Sequence, residues 1–230
     1  MQQPGVTSYI DLVSIAAFTQ PSIADIAEDK LVERLFADPL WGTEFFELAG
    51  MPRGMVNRQR VLLDTAPGNF KGDIDVLRCV PDHPEQAVAY QLKRIKFGMD
   101  QLRNGTPTKL RDFSKLAQQA NLVARMGFWQ VYAYVVVVVD AREQNAGKGT
   151  TYAGLSSKLK SLVYSAVSTQ PLDERVGLGI LDFTQPMDYT PFMVGSHGLH
   201  LKRPSKPTTQ SEELSRWIAG LFGKSSQSSN

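Results

Sequence analysis

Lys71–Lys96 reads KGDIDVLRCVPDHPEQAVAYQLKRIK, and the folding of this stretch decides what the rest of the chain can be. Two extended segments, Gly72–Val80 and Ala87–Ile95, flank a polar connection at Pro81–Gln86. Side chains on a strand alternate faces, so residues two apart share one. Asp73 and Asp75 are therefore expected on one face of the first segment, and Gln91 and Lys93 on one face of the second. Ile74, Val76, Leu92 and Ile95 are apolar between them. Paired as a hairpin, the segments bring a carboxylate, an amide and an ammonium to one side of a sheet. Carboxylate and amide oxygens suit a hard cation such as Mg²⁺. A lysine beside them can orient or activate a water and offset charge on a reacting phosphate. Those are the groups needed to hydrolyse a phosphodiester.

The stretch resembles the PD-(D/E)xK nuclease superfamily. GDIDVL followed by YQLKRIK looks like its Mrr-type restriction endonuclease branch, which carries a GxxD strand and then QxK where most of the superfamily has ExK. The resemblance implies that Asp75 is the metal-binding acid, Gln91 the second position near the metal and Lys93 the catalytic lysine. The backbone carbonyl of Leu92 would assist the metal. Asp73 stands as the alternate acid, because the strand pattern does not separate it from Asp75. Mg²⁺ is the implied cofactor, with Mn²⁺ able to substitute. In-line attack of water would leave a 5′-phosphate.

Upstream, Ser22 with Asp25 three residues on resembles a capping box and predicts a helix to about Ala37, stopped by Asp38-Pro39. Ala24, Glu28, Leu31, Val32 and Leu35 fall on one face of it. Glu28 is the acid on that face, and Glu28, Leu31 and Leu35 match the spacing of a first-helix glutamate in the superfamily. The resemblance nominates Glu28 as an auxiliary metal-site acid. Residues 1–20 read as a strand or short helix, and residues 39–55, with Trp41, Phe45, Phe46 and Leu48, as a short aromatic helix. Val61–Leu63 is taken as the first sheet strand, followed by a turn at Pro67-Gly68.

Downstream, a helix is expected from Leu110 to Met126 with Leu116, Ala120, Val123 and Ala124 buried and Gly127 as its C-cap. Phe128–Asp140 is the strongest strand signal. Its five consecutive valines require cover on both faces, as in a central strand. A helix over Tyr152–Ser168 and a last core strand over Val176–Phe183 follow; the glycines of that strand suggest an edge or a close approach. Residues 184–210 read as a surface-wandering segment. His197 and His200 there are too few for a metal site. Glu212–Phe222 reads as an amphipathic helix that docks on the body or meets a partner, and the tail as disordered. GKGTT at 147–151 lacks the spacing of a phosphate loop. His83 is expected exposed. Lone Cys79 is expected to be a buried, inert thiol.

The chain of 230 residues is 42% hydrophobic and 21% charged, with a net charge of +2. This is an ordinary globular composition with no global attraction to nucleic acid. Any DNA affinity needs a local patch, which Lys93, Arg94, Lys96, Arg103, Lys109, Arg111 and Lys115 could supply. No signal peptide is read, and Val131–Val139 is too short to span a bilayer, so a cytoplasmic location is expected.

The expected fold is α/β: a restriction-endonuclease-like αβββαβ core with a central mixed sheet flanked by helices. Residues 1–183 would form the nuclease-like domain. Residues 184–230 would be an irregular extension with a short amphipathic helix and a disordered tail. The expected function is a metal-dependent DNA endonuclease in restriction or anti-phage defence, targeted by homodimerisation or by a partner subunit. The alternatives are a catalytically lapsed nuclease fold serving as a DNA-binding or scaffold subunit, and a purely structural protein.

Overall fold

The computed structural model describes residues 22–37, 55–99, 102, 113–142, 155–185 and 196–223. Expectations for residues 1–20, the aromatic segment around Trp41 and Phe45, the loop at 143–151 and the tail fall outside these residues. A 3-10 turn at Ile23–Asp25 precedes α1 (Glu28–Ala37). Then come β1 (Val56–Leu62), β2 (Asp73–Val80), β3 (His83–Phe97), α2 (Phe113–Arg125) and β4 (Gln130–Asp140). The series ends with α3 (Ser157–Ser168), β5 (Val176–Gln185), β6 (Ser196–Arg203) and α4 (Glu212–Gly223).

The six strands form one mixed sheet in chain order, β1 to β6. β1, β2 and β3 pair antiparallel, β3, β4 and β5 parallel, and β6 returns antiparallel on β5. Parallel neighbours need a crossover connection; among the described residues, α2 lies between β3 and β4 and α3 between β4 and β5. α2, α3 and α4 pack on one face through Leu116, Val123, Leu159, Val163, Leu214 and Ile218. α1 packs on the other through Leu31 and Val32. The valine run of β4 sits between these layers: Val135, Val137 and Val139 join the first cluster, Val136 and Val138 the second, and all five are at most 1% exposed. A strand buried on both faces has no polar face to show, so its sequence does not alternate.

Gly177 and Gly179 of β5 make room rather than an edge. Each pairs across the ladder with a tyrosine of β4, Tyr132 and Tyr134. A Cβ on either glycine would collide with the ring of that partner. Tyr90 of β3 joins the two rings in a stack with centroids 5.6–6.0 Å apart.

Several expectations are corrected. The Pro81–Gln86 connection is mostly strand: Val80 pairs directly with His83, which leaves Pro81-Asp82 as a two-residue turn. β1 begins at Val56, five residues before the expected Val61. β5 is not the last strand, because β6 takes up residues read as surface loop, including His197 and His200. Nor do the residues after β6 wander. Ser205 accepts the Val131 N–H and donates to the Arg175 carbonyl, and Gln210 accepts the Trp129 N–H and donates to the Pro84 carbonyl. The described part of 184–230 thus belongs to the same sheet and core, not to an irregular extension.

Candidate active site

β2 and β3 part company halfway along. Their last rung joins Val76 to Tyr90. Beyond it β2 stays with β1 as far as the rung between Leu62 and Asp73, and β3 stays with β4 as far as Phe97 and Val139. Backbone donors of β3 that would have met β2 therefore need other partners. Leu92 and Arg94, two residues apart, send their N–H groups toward the same edge. The Leu92 N–H donates to Asp75 Oδ2 at 2.7 Å. The Arg94 N–H donates to Glu28 Oε1 at 3.2 Å. Just before them in sequence, the Gln91 side chain donates from Nε2 to the Asp73 carbonyl at 2.7 Å. The gap is lined by two carboxylates, an amide and the backbone of β3.

Each element positions its group for a local reason. Glu28 does not sit inside a helix begun at Ser22, as expected. Ser22 caps the separate 3-10 turn, accepting the Ala24 N–H, and α1 begins at Glu28 itself. An acid in the first turn is favoured by the partial positive charge of the helix N-terminus. Asp75 sits at a slip in the sheet. Ile74 packs with Leu77 and Cys79 on one face, while Val76 packs on the other. Strict alternation would put Ile74 with Val76. The residue facing this slip on β1 is Arg60, between the rungs Gln59–Val76 and Val61–Ile74, with φ at +49°. Period-two alternation therefore does not carry through from Asp73 to Asp75, and their common face does not follow from it. Gln91 is 1% exposed and held by its bond to Asp73, which commits its amide nitrogen and leaves its oxygen as the free end of the group.

The electrostatics single out Asp75. Burial pushes its carboxyl up to about 6; the Leu92 N–H pulls it back, the charges of Asp73 and Glu28 push it further up, and the Lys93 ammonium lowers it. Asp73, Glu28 and Lys93 are thus each within electrostatic reach of Asp75. No group of three His, Cys, Asp or Glu side chains suited to a metal ion occurs among the described residues. The oxygens at hand are the carboxylates of Asp75 and Glu28, the Gln91 amide and the Leu92 carbonyl, which leaves the strand on the same side as its N–H. An all-oxygen set with two charges fits a hard divalent cation, held weakly.

Of the expected DNA contacts, Arg94 and Lys96 are half-buried beside the site and Lys115 is exposed on α2. Arg103, Lys109 and Arg111 lie outside the described residues. Arg94 Nη1 is buried with no hydrogen-bond partner among the described residues. Cys79 is buried, and burial pushes its thiol up to about 11, so it is unreactive at neutral pH.

One charged cluster escaped the sequence reading. Asp140, at the end of β4, is 1% exposed. It forms a two-pronged ion pair with Arg142 at 2.8–2.9 Å and accepts the Ser22 hydroxyl at 2.5 Å. Its only signal in sequence was an acid closing a fully apolar strand, with an arginine two residues on.

No helix among the described residues is long and apolar enough to cross a membrane. No family model matches the chain, and a search of curated proteins returns no match.

Proposed function

We propose that the protein is a metal-dependent nuclease that hydrolyses phosphodiester bonds in DNA, built on a restriction-endonuclease-like core. One observation carries the reading. At the point where β2 and β3 diverge, Asp75 and Glu28 hold consecutive edge-facing N–H groups of β3, and Lys93 is the residue between those two donors. The element order α1-β1-β2-β3-α2-β4 agrees with the αβββαβ core.

In this reading Asp75, Gln91, the Leu92 carbonyl and Glu28 would hold Mg²⁺ or Mn²⁺. The ion would supply charge stabilisation for the phosphate and lower the pKa of water. Lys93 holds the attacking water in line and offsets negative charge developing on the phosphate. Arg94 and Lys96 bear on the adjoining phosphates. Both side chains are half-buried beside the site, which limits the entropy they lose on binding. Asp75, with its carboxyl raised to about 6, would have to be deprotonated to hold the cation, so metal affinity is expected to rise with pH through that range. Selection of a DNA sequence would fall to a second copy or a partner subunit.

A second reading is a lapsed nuclease that binds DNA without cutting. It is favoured by the uncharged Gln91 and by the absence of a three-acid cluster among the described residues. Incubation of supercoiled plasmid with Mg²⁺, Mn²⁺ or EDTA separates the two. The nuclease nicks with metal, stops with EDTA, and is silent as Lys93→Ala or Asp75→Asn. Binding to labelled DNA without nicking under any metal supports the lapsed fold.

A further inference from the structure

We propose that the outer edge of the sheet, along β1, is a phosphate-binding groove that carries a DNA strand toward the site; this rests on the nucleic-acid reading above. A surface groove of about 490 Å³ runs beside β1, lined in part by Arg58, Gln59, Arg60, Asp64, Thr65 and Leu221. Its floor is fixed. The Arg58 guanidinium lies 5.6 Å over the Phe222 ring of α4, and Trp217 Nε1 of the same helix donates to Thr65 Oγ1 at 3.2 Å. Arg60 is exposed and stands mid-strand at φ +49°, a conformation that L-residues with a side chain rarely adopt.

The strain falls at an informative place. Arg60 faces the Asp75 position across the β1–β2 ladder, and neighbouring strands lie about 4.8 Å apart. Arg60, which lines the groove, therefore stands one strand outside the candidate catalytic acid. Glycine would take that conformation without strain, yet an arginine stands there. Lys71, also exposed, precedes Gly72, whose carbonyl accepts the Leu63 N–H, so a third cation sits near the same end of the strand. Asp64 is the one carboxylate among the lining residues. Guanidinium groups on a rigid floor suit the repeated phosphates of a nucleic-acid backbone.

The test uses the full chain, a fluorescein-labelled DNA duplex and a salt series in EDTA, so that cleavage does not intervene. Arg60→Gln is expected to weaken binding about five- to tenfold at low salt and to flatten the log–log salt slope by about one, the signature of one lost phosphate contact. Arg60→Gly removes the charge and the strain together. It is expected to melt no lower than wild type and to bind as poorly as Arg60→Gln, which separates a contact from a folding defect. Wild-type affinity and slope in Arg60→Gln overturn the groove, and so does a wild-type chain that binds no DNA. Binding by wild type without cleavage in Mg²⁺ overturns the nuclease reading and leaves the groove standing. Cleavage with Arg60→Gln unimpaired in binding does the reverse.

Discussion

Asp75 and Asp140 are both aspartates on strands of one sheet, both largely removed from water, and they behave in opposite ways. Asp140 closes β4 with every neighbour favourable: burial alone would raise its pKa, but the Arg142 fork and the Ser22 hydroxyl outweigh it and hold the carboxyl below its ordinary value. Asp75 has one backbone N–H, two acids and a single lysine around it, and its carboxyl rises to about 6. The difference teaches that burial does not by itself assign a role to an acid. A carboxylate whose partners are complete fastens elements together, here the turn before α1 to the end of β4. A carboxylate left under-compensated beside a gap in the ladder stores electrostatic stress that a cation would relieve.

The sharpest way to break this contrast is catalytic. If the proposed roles hold, Lys93→Ala and Asp75→Asn each lower the plasmid-nicking rate by about a thousandfold or more, the first by removing the group on the reacting phosphate and the second by removing a ligand of the cation. Asp140→Asn should leave a far larger share of the rate. Comparable losses from the two aspartate variants would erase the distinction.

Stability gives the next largest effect, with opposite signs. Asp140→Ala removes both prongs of the ion pair from the Arg142 guanidinium, which is 3% exposed, and is expected to cost about 3–5 kcal/mol, read from urea unfolding. Asp75→Asn should stabilise the metal-free protein. An acid whose folded pKa is raised binds more protons folded than unfolded between pH 4 and 6, so the protein loses stability as pH rises through that window. The variant escapes this loss and gains about 3 kcal/mol well above pH 6, and almost nothing at pH 3. A gain that is independent of pH would show that something other than the carboxylate charge was at work.

The smallest effect concerns Gln91. Glu cannot donate to the Asp73 carbonyl, so Gln91→Glu leaves that acceptor without its bond and adds a buried charge. A loss of about 1–3 kcal/mol in EDTA is expected. Mg²⁺ or Mn²⁺ should restore part of it, because the added charge strengthens cation binding. Thermal melts with and without metal measure both halves, and a melt indifferent to metal would detach Gln91 from the cation.

Much of this was legible in the residues. The valine run declared a doubly covered strand, and GDIDV with QLK drew attention to two neighbouring segments, although the expected hairpin pairing stops at Val76 and Tyr90 and leaves a gap beside Asp75. The C-terminal helix was legible from Leu214, Ile218 and Leu221 at helical spacing. Other features left no local trace. Nothing local in the sequence marks the left-handed Arg60 inside β1, so neither the slip at Asp75 nor its effect on facing could be seen. β6 was hidden because Gly198 and the flanking prolines outweigh a short alternating pattern, and its pairing comes from β5. The Ser22 cap was read, but tertiary packing ended its turn after Asp25 and began a new helix at Glu28.

The last described segment closes over the first-made strands: Gln210 reaches the Pro84 carbonyl where β3 begins, and Ser205 reaches Val131 where β4 begins. During synthesis the sheet can therefore be laid down in order as each strand emerges, yet its lower rim stays unsealed until Ser205 and Gln210 have emerged. A chain halted before Ser205 would hold the β3 segment with the rim beneath it open, a form that quality-control proteases could recognise.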